Sequence, residues 1–426
     1  AMKRALSLAL AALLLAGCTA APAASGDAAA SAGPVPSHAA ENTEATATAS
    51  TEPLRPLQPG DEKQYYLIEP ANADKTLERF RIVDLTTGEN TIPCDVEGCT
   101  HDNEDCPAVW SRATWDFGVS AWVLDEDTLL IASSTSAPKT IYYFADRNCQ
   151  NLTPIATVED AAGIAQQCTD GTSLYFLLTR EGGFYEICRL SLADGSLTVL
   201  WEGTEYPVPG VIGRNYVLKT SDLTDPAPTS DPDTGIMPLP TGTVTHSLLN
   251  VDTGEVRELY TYSSDDWNLD TLDAYVVNGQ YYQIDRVAGI LNTIAPDTGE
   301  VRQITDQLPT TAPGTYANYR PQAVLDGWMV FYDLPVIVNV ETGEVRQRID
   351  LPENYWNGYG HQPSIFLQLK DRLLVDCRYE PYTRTDLNTD GTPVYTETER
   401  MYLGLISIED FLNGVPNYTE VGEYAT

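Results

Sequence analysis

The chain is poor in histidine and in positive charge. It has four histidines and 25 basic residues against 61 acidic ones, which gives a formal net charge of −36. Such a surface repels phosphate backbones and anionic lipid headgroups, so the composition argues against nucleic-acid binding and against a membrane-binding patch on the folded domain. It attracts divalent cations and cationic partners, although acidity also serves plain solubility.

Familiar catalytic signatures are also missing. The sequence has no Gly-x-Ser-x-Gly elbow, no His-Glu-x-x-His helix, no phosphate-binding glycine loop and no Ser-x-Asp-x-Gly-x-x-x-Trp box. His38 falls in a low-complexity segment, which leaves few histidines for acid–base chemistry. Acidic residues are so frequent that no particular carboxylate pair is indicated for glycoside hydrolysis. We therefore predict no catalytic residue, and the sequence favours a non-enzymatic role.

The N-terminus predicts export and lipid anchoring. Lys3 and Arg4 precede an apolar run that is shorter than the roughly 20 residues of a membrane span and has the length of a signal-peptide core. The run ends in Leu15-Ala-Gly-Cys18, which resembles the bacterial lipobox. We expect residues 1–17 to be a signal peptide and Cys18 to carry acyl chains such as palmitate, which hold the protein at the extracytoplasmic face of the bacterial cell membrane. The alternative is an ordinary signal peptide with an incidental cysteine.

Residues 18–60 predict a disordered tether. This segment is dominated by Ala, Ser, Thr, Pro and Glu, and its only larger aliphatic residues are Val35, Leu54 and Leu57. It carries too little apolar surface to offset the entropy cost of ordering the chain. We expect it to hold the folded domain, residues 61–426, clear of the lipid headgroups.

A short phrase recurs along the predicted domain. Its copies are Asp84-Leu-Thr-Thr-Gly-Glu, Asp252-Thr-Gly-Glu, Asp297-Thr-Gly-Glu and Glu341-Thr-Gly-Glu, with a looser one at Asp194-Gly195. Each copy separates two β-rich runs, and its Asp and Gly suit a tight hairpin. Gly254, Gly299 and Gly343 follow one another at intervals of 45 and 44 residues, which is the period of a propeller blade.

The repeats predict an all-β fold, a β-propeller of seven four-stranded blades. Two less regular hairpins, near Asp146-Arg147 and Glu409-Asp410, bring the outer hairpins to seven. The first blade is short of an inner strand, so we expect a C-terminal strand near Thr419 to Tyr424 to close the ring. The repeat phrase resembles those of quinoprotein-like and WD40-like propellers and of bacterial propeller lipoproteins, although the usual closing Trp is missing. That resemblance implies a propeller on an anchor and no particular activity.

Four long insertions are predicted on one side of the propeller. They are residues 94–117 between the first two blades, 222–240 within the fourth, 353–363 between the sixth and seventh, and 384–399 within the seventh. In a propeller all such links lie on the face opposite the repeat turns, and functional insertions gather on one face. We call this the loop-bearing face and expect the functional surface there.

The pattern Cys94-x4-Cys99-x-His101-x4-Cys106 is a candidate metal site. Three thiolates and an imidazole fill a closed tetrahedral Zn²⁺ shell, which would be structural. Disulfides are the competing interpretation and suit an exported domain, but the seven cysteines besides Cys18 are an odd number and cannot all pair. Free thiols are the third alternative. The run from Cys94 to Pro107 also resembles a segment of lipoprotein propellers in anaerobic bacteria, which implies no activity.

A second candidate metal site follows the twelve-residue calcium-loop pattern. It comprises Asp386, Asn388, Asp390, Gly391 and Glu397 at the required spacing. The flanks favour strands rather than helices, so Ca²⁺ would bind on a β-hairpin, and a proline within the pattern weakens the match. The alternative is a solvated turn.

Aromatic residues of the inter-blade links are the candidates for ligand contact. They are Tyr355, Trp356, Tyr359 and His361 in one glycine-rich loop, and Trp267, Tyr316 and Tyr319 in neighbouring links. If exposed, they would stack on a sugar ring or grip a peptide, and the alternative is that they plug the end of the channel. The sequence thus favours a binding or scaffolding module for a protein or glycan ligand. An extracellular carbohydrate-active lyase or glycosidase and a role in envelope assembly are the alternatives.

Overall fold

The described part of the chain folds into antiparallel sheets with almost no helix. The computed structural model describes residues 52–72, 75–111, 118–135, 139–224, 241–264, 272–310, 319–348, 354–356, 359–387 and 393–425. These residues form seven four-stranded blades arranged as a β-propeller, which confirms the predicted fold class.

Consecutive segments of the chain supply the strands of each blade. A short strand, β1 (Arg55–Pro56), precedes the blades. Blade 1 contains β2 (Gln64–Pro70), β3 (Leu77–Asp84), β4 (Asn90–Thr91) and β5 (Val109–Ser111). Blade 2 contains β6 (Val119–Val123), β7 (Thr128–Thr135), β8 (Lys139–Asp146) and β9 (Thr153–Glu159). Blade 3 contains β10 (Gly163–Thr169), β11 (Ser173–Arg180), β12 (Phe184–Ser191) and β13 (Leu197–Gly203).

The other four sheets follow the same order from the innermost strand outwards. Blade 4 contains β14 (Val208–Ile212), β15 (Asn215–Thr224), β16 (Thr241–Asn250) and β17 (Val256–Ser263). Blade 5 contains β18 (Leu272–Val277), β19 (Gln280–Asp285), β20 (Ile290–Ile294) and β21 (Val301–Thr305). Blade 6 contains β22 (Pro321–Leu325), β23 (Trp328–Phe331), β24 (Val336–Asn339) and β25 (Val345–Gln347), and a hairpin of β26 (Asn354–Trp356) and β27 (Tyr359–His361) follows it. Blade 7 contains β28 (Ile365–Gln368), β29 (Arg372–Leu387), β30 (Pro393–Ser407) and β31 (Thr419–Ala425).

Side-chain alternation lets one strand serve two blade interfaces. In β19, Tyr281 packs with Leu248 of blade 4, whereas its neighbour Tyr282 packs with Phe331 of blade 6. Successive residues of a strand point to opposite faces of the sheet, so a strand with apolar residues on both faces is buried on both. Each interface therefore buries apolar surface. This burial stabilises the fold by about 25 cal/mol per Å² and holds neighbouring blades side by side.

The repeat phrases form turns between the third and fourth strands. Gly254 and Gly343 have φ angles of 70° and 77°, in the left-handed region that favours glycine. The capping oxygen comes from the residue four positions before each glycine. In the first copy this residue is Asp84, whose Oδ1 accepts the N–H bonds of Thr86 and Thr87 as predicted. In two later copies Oδ1 of Asn250 and Oδ1 of Asn339 accept two backbone N–H bonds each, so Asp252 does not have this capping role.

Blade 1 differs from the other six at its inner edge. Its inner strand is reduced to one β-bridge between Gly60 and Tyr65, beside a 2.7 Å hydrogen bond from the Tyr66 N–H to the Pro59 carbonyl. The predicted closure by a C-terminal strand is wrong, because β31 pairs with β30 as the outer strand of blade 7. The chain segment that precedes blade 1, rather than the C-terminus, supplies its inner edge.

Residues 54–60, which we call the strap, are part of the propeller. Arg55 and Pro56 pair with the inner strand of blade 3, and the Val123 N–H of blade 2 donates to the Gln58 carbonyl at 2.9 Å. Leu54 and Leu57 are only 5% and 7% exposed. The predicted tether therefore ends too late, because two leucines bury apolar surface between blades and offset the entropy cost of ordering this segment.

The strand order places three of the four insertions where they are predicted. Residues 222–240 lie between β15 and β16, residues 353–363 between β25 and β28, and residues 384–399 at the end of the β29–β30 hairpin. The fourth insertion, residues 94–117, does more than join blades 1 and 2. It returns to blade 1 as β5, which pairs with β3, so the cysteines interrupt an outer strand and lie at the outer edge of that blade.

One short helix, α1 (Ile408–Asn413), forms the connection near Glu409-Asp410 in blade 7. The Ser407 side chain caps its start by accepting a 3.0 Å hydrogen bond from the Asp410 N–H, and Gly414 ends it with φ 70°. The helix buries Phe411 against blades 6 and 7. None of the helices among the described residues has the length and hydropathy needed to cross a membrane.

Candidate functional site

The four predicted zinc ligands lie in one excursion of the outer strand of blade 1. The strand β4 pairs with β3 at Ile82, and β5 pairs with the same strand at Arg79. Only Phe80 and Arg81 of β3 separate the two stretches of ladder. Residues 92–108 therefore leave the sheet and return to it at nearly the same point.

Tight turns shape this excursion. The backbone N–H groups of Cys94, Cys99 and Cys106 each donate to a carbonyl two or three residues earlier, at 2.7–3.2 Å. Gly98 and His101 have positive φ angles of 76° and 57°. This conformation is uncommon for a residue with a side chain, and at His101 it reverses the chain in the middle of the ligand pattern.

The turns bring the four side chains together. The sulfur atoms of Cys94, Cys99 and Cys106 and a ring nitrogen of His101 all lie within 4.8 Å of one another. His101 Nδ1 is 3.3 Å from the Cys106 sulfur. Cys106 is 1% exposed and packs with Ala108, whereas the other three residues are half-buried. The cluster is closed on the protein side and partly accessible from solvent.

All the described cysteines are free thiols. The His101 backbone N–H donates to the Cys99 sulfur and lowers the pKa of that thiol. Burial raises the pKa of the Cys106 thiol to about 12. Four further cysteines are buried in blades 2, 3 and 7: Cys149, Cys168, Cys188 and Cys377. Cys18, the predicted lipidation site, lies outside the described residues.

The predicted calcium pattern is not one continuous loop. Asp386 lies in β29 and Glu397 in β30, and Glu397 pairs with Thr383. This pairing separates the two ends of the pattern by three positions of a ladder, about 10 Å, whereas a calcium loop wraps its ligands around one point. Asn388, Asp390 and the side chains of both end residues lie outside the described part of the chain, so calcium binding stays a prediction.

Most of the predicted ligand-contacting aromatic residues also lie outside the described part. Trp267 and Tyr316 are not described, and the backbone alone is described for the segment with Trp356, Tyr359 and His361. In that hairpin Trp356 pairs with Tyr359, with Tyr355 beside them opposite a glycine. Their role in ligand binding therefore stays a prediction.

Tyr319 is a correction to the predicted ligand surface. Its side chain is fully buried, packs with Leu308 and Phe331 between blades 5 and 6, and donates a hydrogen bond to the Pro309 carbonyl. An aromatic residue in an inter-blade link can turn inwards where the neighbouring strands leave room for it. Tyr319 is thus a core residue and contributes nothing to an exposed face.

Arg214 fixes the start of the strap on the face that carries the repeat turns. Its Nη1 donates to the Glu52 carbonyl at 2.8 Å, and its Nη2 bonds Asp170 Oδ2 at 3.0 Å and Asp252 Oδ1 at 2.6 Å. The Leu54 N–H donates to the carbonyl of the residue before Arg214 at 2.9 Å. The chain therefore reaches the propeller on the face opposite the loop-bearing face.

A cavity of about 390 Å³ lies between the strap and the inner strands of blades 6 and 7. The strap contributes Pro56 and Gln58, and the inner strands contribute Gln322, Phe366 and Gln368 among others. The Gln322 amide is held by backbone groups, accepting a 2.8 Å bond from the Ile365 N–H. Among the described residues around the cavity no side chain is ionisable.

A second cavity, of about 280 Å³, carries two carboxylates near the junction of blades 7 and 1. Asn417 donates to Asp410 at 3.2 Å, and Arg378 binds Glu420 at 2.7 Å. Both carboxylates are therefore engaged by neighbours of this chain. Their arrangement fits a surface network rather than a paired acid and base.

No model of a known protein family and no curated protein matches this sequence. Several solved structures are similar to this chain at low sequence identity. A puromycin-hydrolysing peptidase of Mycobacterium tuberculosis is 12% identical with a TM-score of 0.48, and the match covers 87% of this chain and 53% of the peptidase. An oligogalacturonate lyase in complex with manganese is 14% identical with a TM-score of 0.40 over 83% of this chain and 84% of the lyase. TolB from Acinetobacter baumannii is 11% identical with a TM-score of 0.34 over 85% and 79%. The chain spans only a little over half the length of this peptidase and of a related puromycin hydrolase.

Proposed function

We propose that this protein is a lipid-anchored extracytoplasmic module that binds an uncharged glycan in the channel of its propeller. Acylated Cys18 would hold it at the cell membrane, and the residues before the strap would form the tether. The channel and the loop-bearing face would then be available to a ligand. This is a binding role and requires no catalytic residue.

The channel cavity is the observation that carries the proposal. At about 390 Å³ it falls within the size range of small-ligand sites. Gln58 and Gln368 are exposed, and Phe366 is half-buried at its wall. Amides donate to and accept from hydroxyl groups, and an aromatic ring stacks on an apolar sugar face. The lack of an ionisable lining residue among those described favours a neutral ligand over acid–base cleavage.

The position of the strap supports the same assignment. The chain enters the described part of the propeller beside Arg214, opposite the loop-bearing face. The strap also forms one wall of the cavity through Pro56 and Gln58.

The test is retention of the full mature chain on an array of neutral and acidic glycans. We expect retention of neutral glycans, at least a tenfold loss of affinity for Gln368→Ala and for Phe366→Ala, and no shortened sugar product. Phe184→Ala, at an exposed aromatic residue of blade 3, is the matched control and should bind like the parent protein. In the same preparations Cys18→Ser should move the protein from the detergent phase to the aqueous phase.

Three results would contradict the proposal. Equal binding by the Gln368 and Phe366 variants would remove the ligand from the channel. Release of shortened oligosaccharides would favour the carbohydrate-active enzyme instead. Stable co-purification of an envelope protein, without glycan retention, would favour a role in envelope assembly.

A further inference from the structure

We infer that Cys94, Cys99, His101 and Cys106 bind one Zn²⁺ ion, and that this ion closes the interrupted outer strand of blade 1. The cluster lies at the outer edge of its blade, whereas the channel cavity is lined by the strap and by inner strands of blades 6 and 7. The proposal of a zinc site can therefore be tested independently of the proposal of glycan binding.

The four ligand atoms are close enough together for one ion to bind them all. With Zn–S bonds of about 2.3 Å and Zn–N bonds of about 2.0 Å, the ligand atoms of a tetrahedral shell are separated by roughly 3.5–3.8 Å. Here all four lie within 4.8 Å of one another, and His101 Nδ1 is 3.3 Å from the Cys106 sulfur. The largest of these separations exceeds that of a tetrahedral shell by about 1 Å.

The donor set selects zinc. Thiolate sulfur and imidazole nitrogen suit zinc, whereas calcium and magnesium require oxygen ligands. Three sulfurs and one nitrogen from the protein fill all four positions, so no position stays open for a substrate or a reacting water. The ion would accordingly be structural, and its role lies in holding the excursion of residues 92–108.

A disulfide accounts for less of this arrangement. It joins two sulfurs at about 2.05 Å and leaves the third thiol of the cluster without a role. It also gives no function to His101, whose backbone has a φ of 57° and whose ring lies against Cys106. The other described cysteines belong to blades 2, 3 and 7 and are buried there. Zinc uses all four residues of the cluster.

The excursion needs such a constraint. Its own apolar core is small, with Cys106, Ala108 and Val109 packed against Ala71 of blade 1. So small a core does not offset the entropy cost of ordering residues 92–108. Where a metal site forms only in the folded segment, the binding free energy of the metal is also folding free energy. The ion would thus hold β4 and β5 in line along β3.

The experiment measures zinc content and metal-ligand spectra of the full mature chain purified without chelator. We expect about one zinc per chain and near-complete loss in Cys99→Ser and in His101→Ala. His101→Cys should retain the metal, because a fourth thiolate fills the same position. Cys377→Ser, at a buried cysteine of blade 7 outside the cluster, is the matched control and should keep its zinc.

Cobalt provides a readout that needs no variant. Wild-type protein stripped of metal and reloaded with Co²⁺ should show the intense visible absorption of a tetrahedral site and the charge-transfer bands of cobalt–thiolate bonds. Two results would overturn the inference. One is a zinc-free protein that yields two fewer reactive thiols under denaturing conditions than after reduction, which indicates a disulfide. The other is full zinc retention by both Cys99→Ser and His101→Ala.

Discussion

Blade 1 and the other six blades are held together in different ways. In blades 2 to 7 four strands pair in order, and the third strand is joined to the fourth by a short turn or, in blade 7, by the helix. In blade 1 the inner strand is a single bridge at Gly60, and the outer strand is split into β4 and β5. A regular blade is stabilised by its own ladder. Blade 1 depends on the strap at its inner edge and on the cysteine cluster at its outer edge.

At both edges of blade 1, side-chain contacts replace backbone pairing. The strap stays in place because Leu54 and Leu57 are buried between blades and because the Arg214 side chain donates a hydrogen bond to the Glu52 carbonyl. The excursion is held at the point where four metal-ligating side chains meet. The strands of a ladder are held by local backbone pairing, whereas the strap and the cysteine cluster of blade 1 are held by a few specific side chains. Single substitutions should therefore affect these two edges more than comparable positions in a ladder.

The largest effect is expected from Leu57→Ala in the strap. Leu57 packs in the core of blades 2 and 3, so its truncation should lower the free energy of unfolding by about 3 kcal/mol. Denaturant unfolding of the mature chain measures this change. The matched control is Leu197→Ala in β13 of blade 3, where the leucine is 37% exposed and the cost should stay below about 0.5 kcal/mol.

Equal, small effects of both leucine substitutions would contradict the claim that the strap stabilises the propeller. The strap would then lie on the propeller without stabilising it. Blade 1 would need another explanation for its incomplete inner edge.

A smaller effect, with a defined pH dependence, is expected at Asp170 beside Arg214. Burial by itself raises the pKa of Asp170, but hydrogen bonds from Thr172, Ser173 and Arg214 outweigh it and lower the pKa to about 2. The stabilisation is present above the unfolded pKa of about 3.9 and is lost as the pH falls through the folded value. Its size at neutral pH is about 2 kcal/mol.

The measurement compares the free energy of unfolding of the parent protein with that of Asp170→Asn between pH 7 and pH 2. The difference should be largest at neutral pH and shrink between about pH 4 and pH 2. Asp127→Asn is the control, because that carboxylate lies in an exposed turn of blade 2 and solvent screens it. A difference that is independent of pH would show that Asp170 acts through shape and not through charge.

The features that could be predicted from the sequence are those that form within a short segment of the chain. The spacing of Gly254, Gly299 and Gly343 predicted blades and the turns between their outer strands, because each turn is built within a few residues. The metal-ligand cluster was predictable for the same reason, since Cys94 to Cys106 span a short segment.

Non-local contacts account for what the sequence did not predict. Leu54 and Leu57 resemble incidental residues of a polar tether, and only the blades around them explain their burial. The sequence around Tyr319 does not distinguish it from an exposed aromatic residue of a link. Its side chain is buried because it packs between blades 5 and 6. In the repeat turn of blade 4, the capping oxygen is supplied by Asn250 rather than by the more conspicuous Asp252, which binds Arg214 instead.

The dependence of blade 1 on its cysteine cluster is tested most directly by hydrogen–deuterium exchange. The measurement compares the zinc-loaded with the chelator-stripped mature chain. In blade 1 the Phe80 N–H donates to the Ala108 carbonyl and the Val109 N–H to the Cys106 carbonyl, at 2.9 and 3.0 Å. We predict that removal of the metal speeds exchange at these amides at least tenfold and leaves the β11–β12 ladder of blade 3 unchanged. Unchanged exchange in blade 1, or equal acceleration in all seven blades, would contradict the claim that this blade depends on its cysteine cluster.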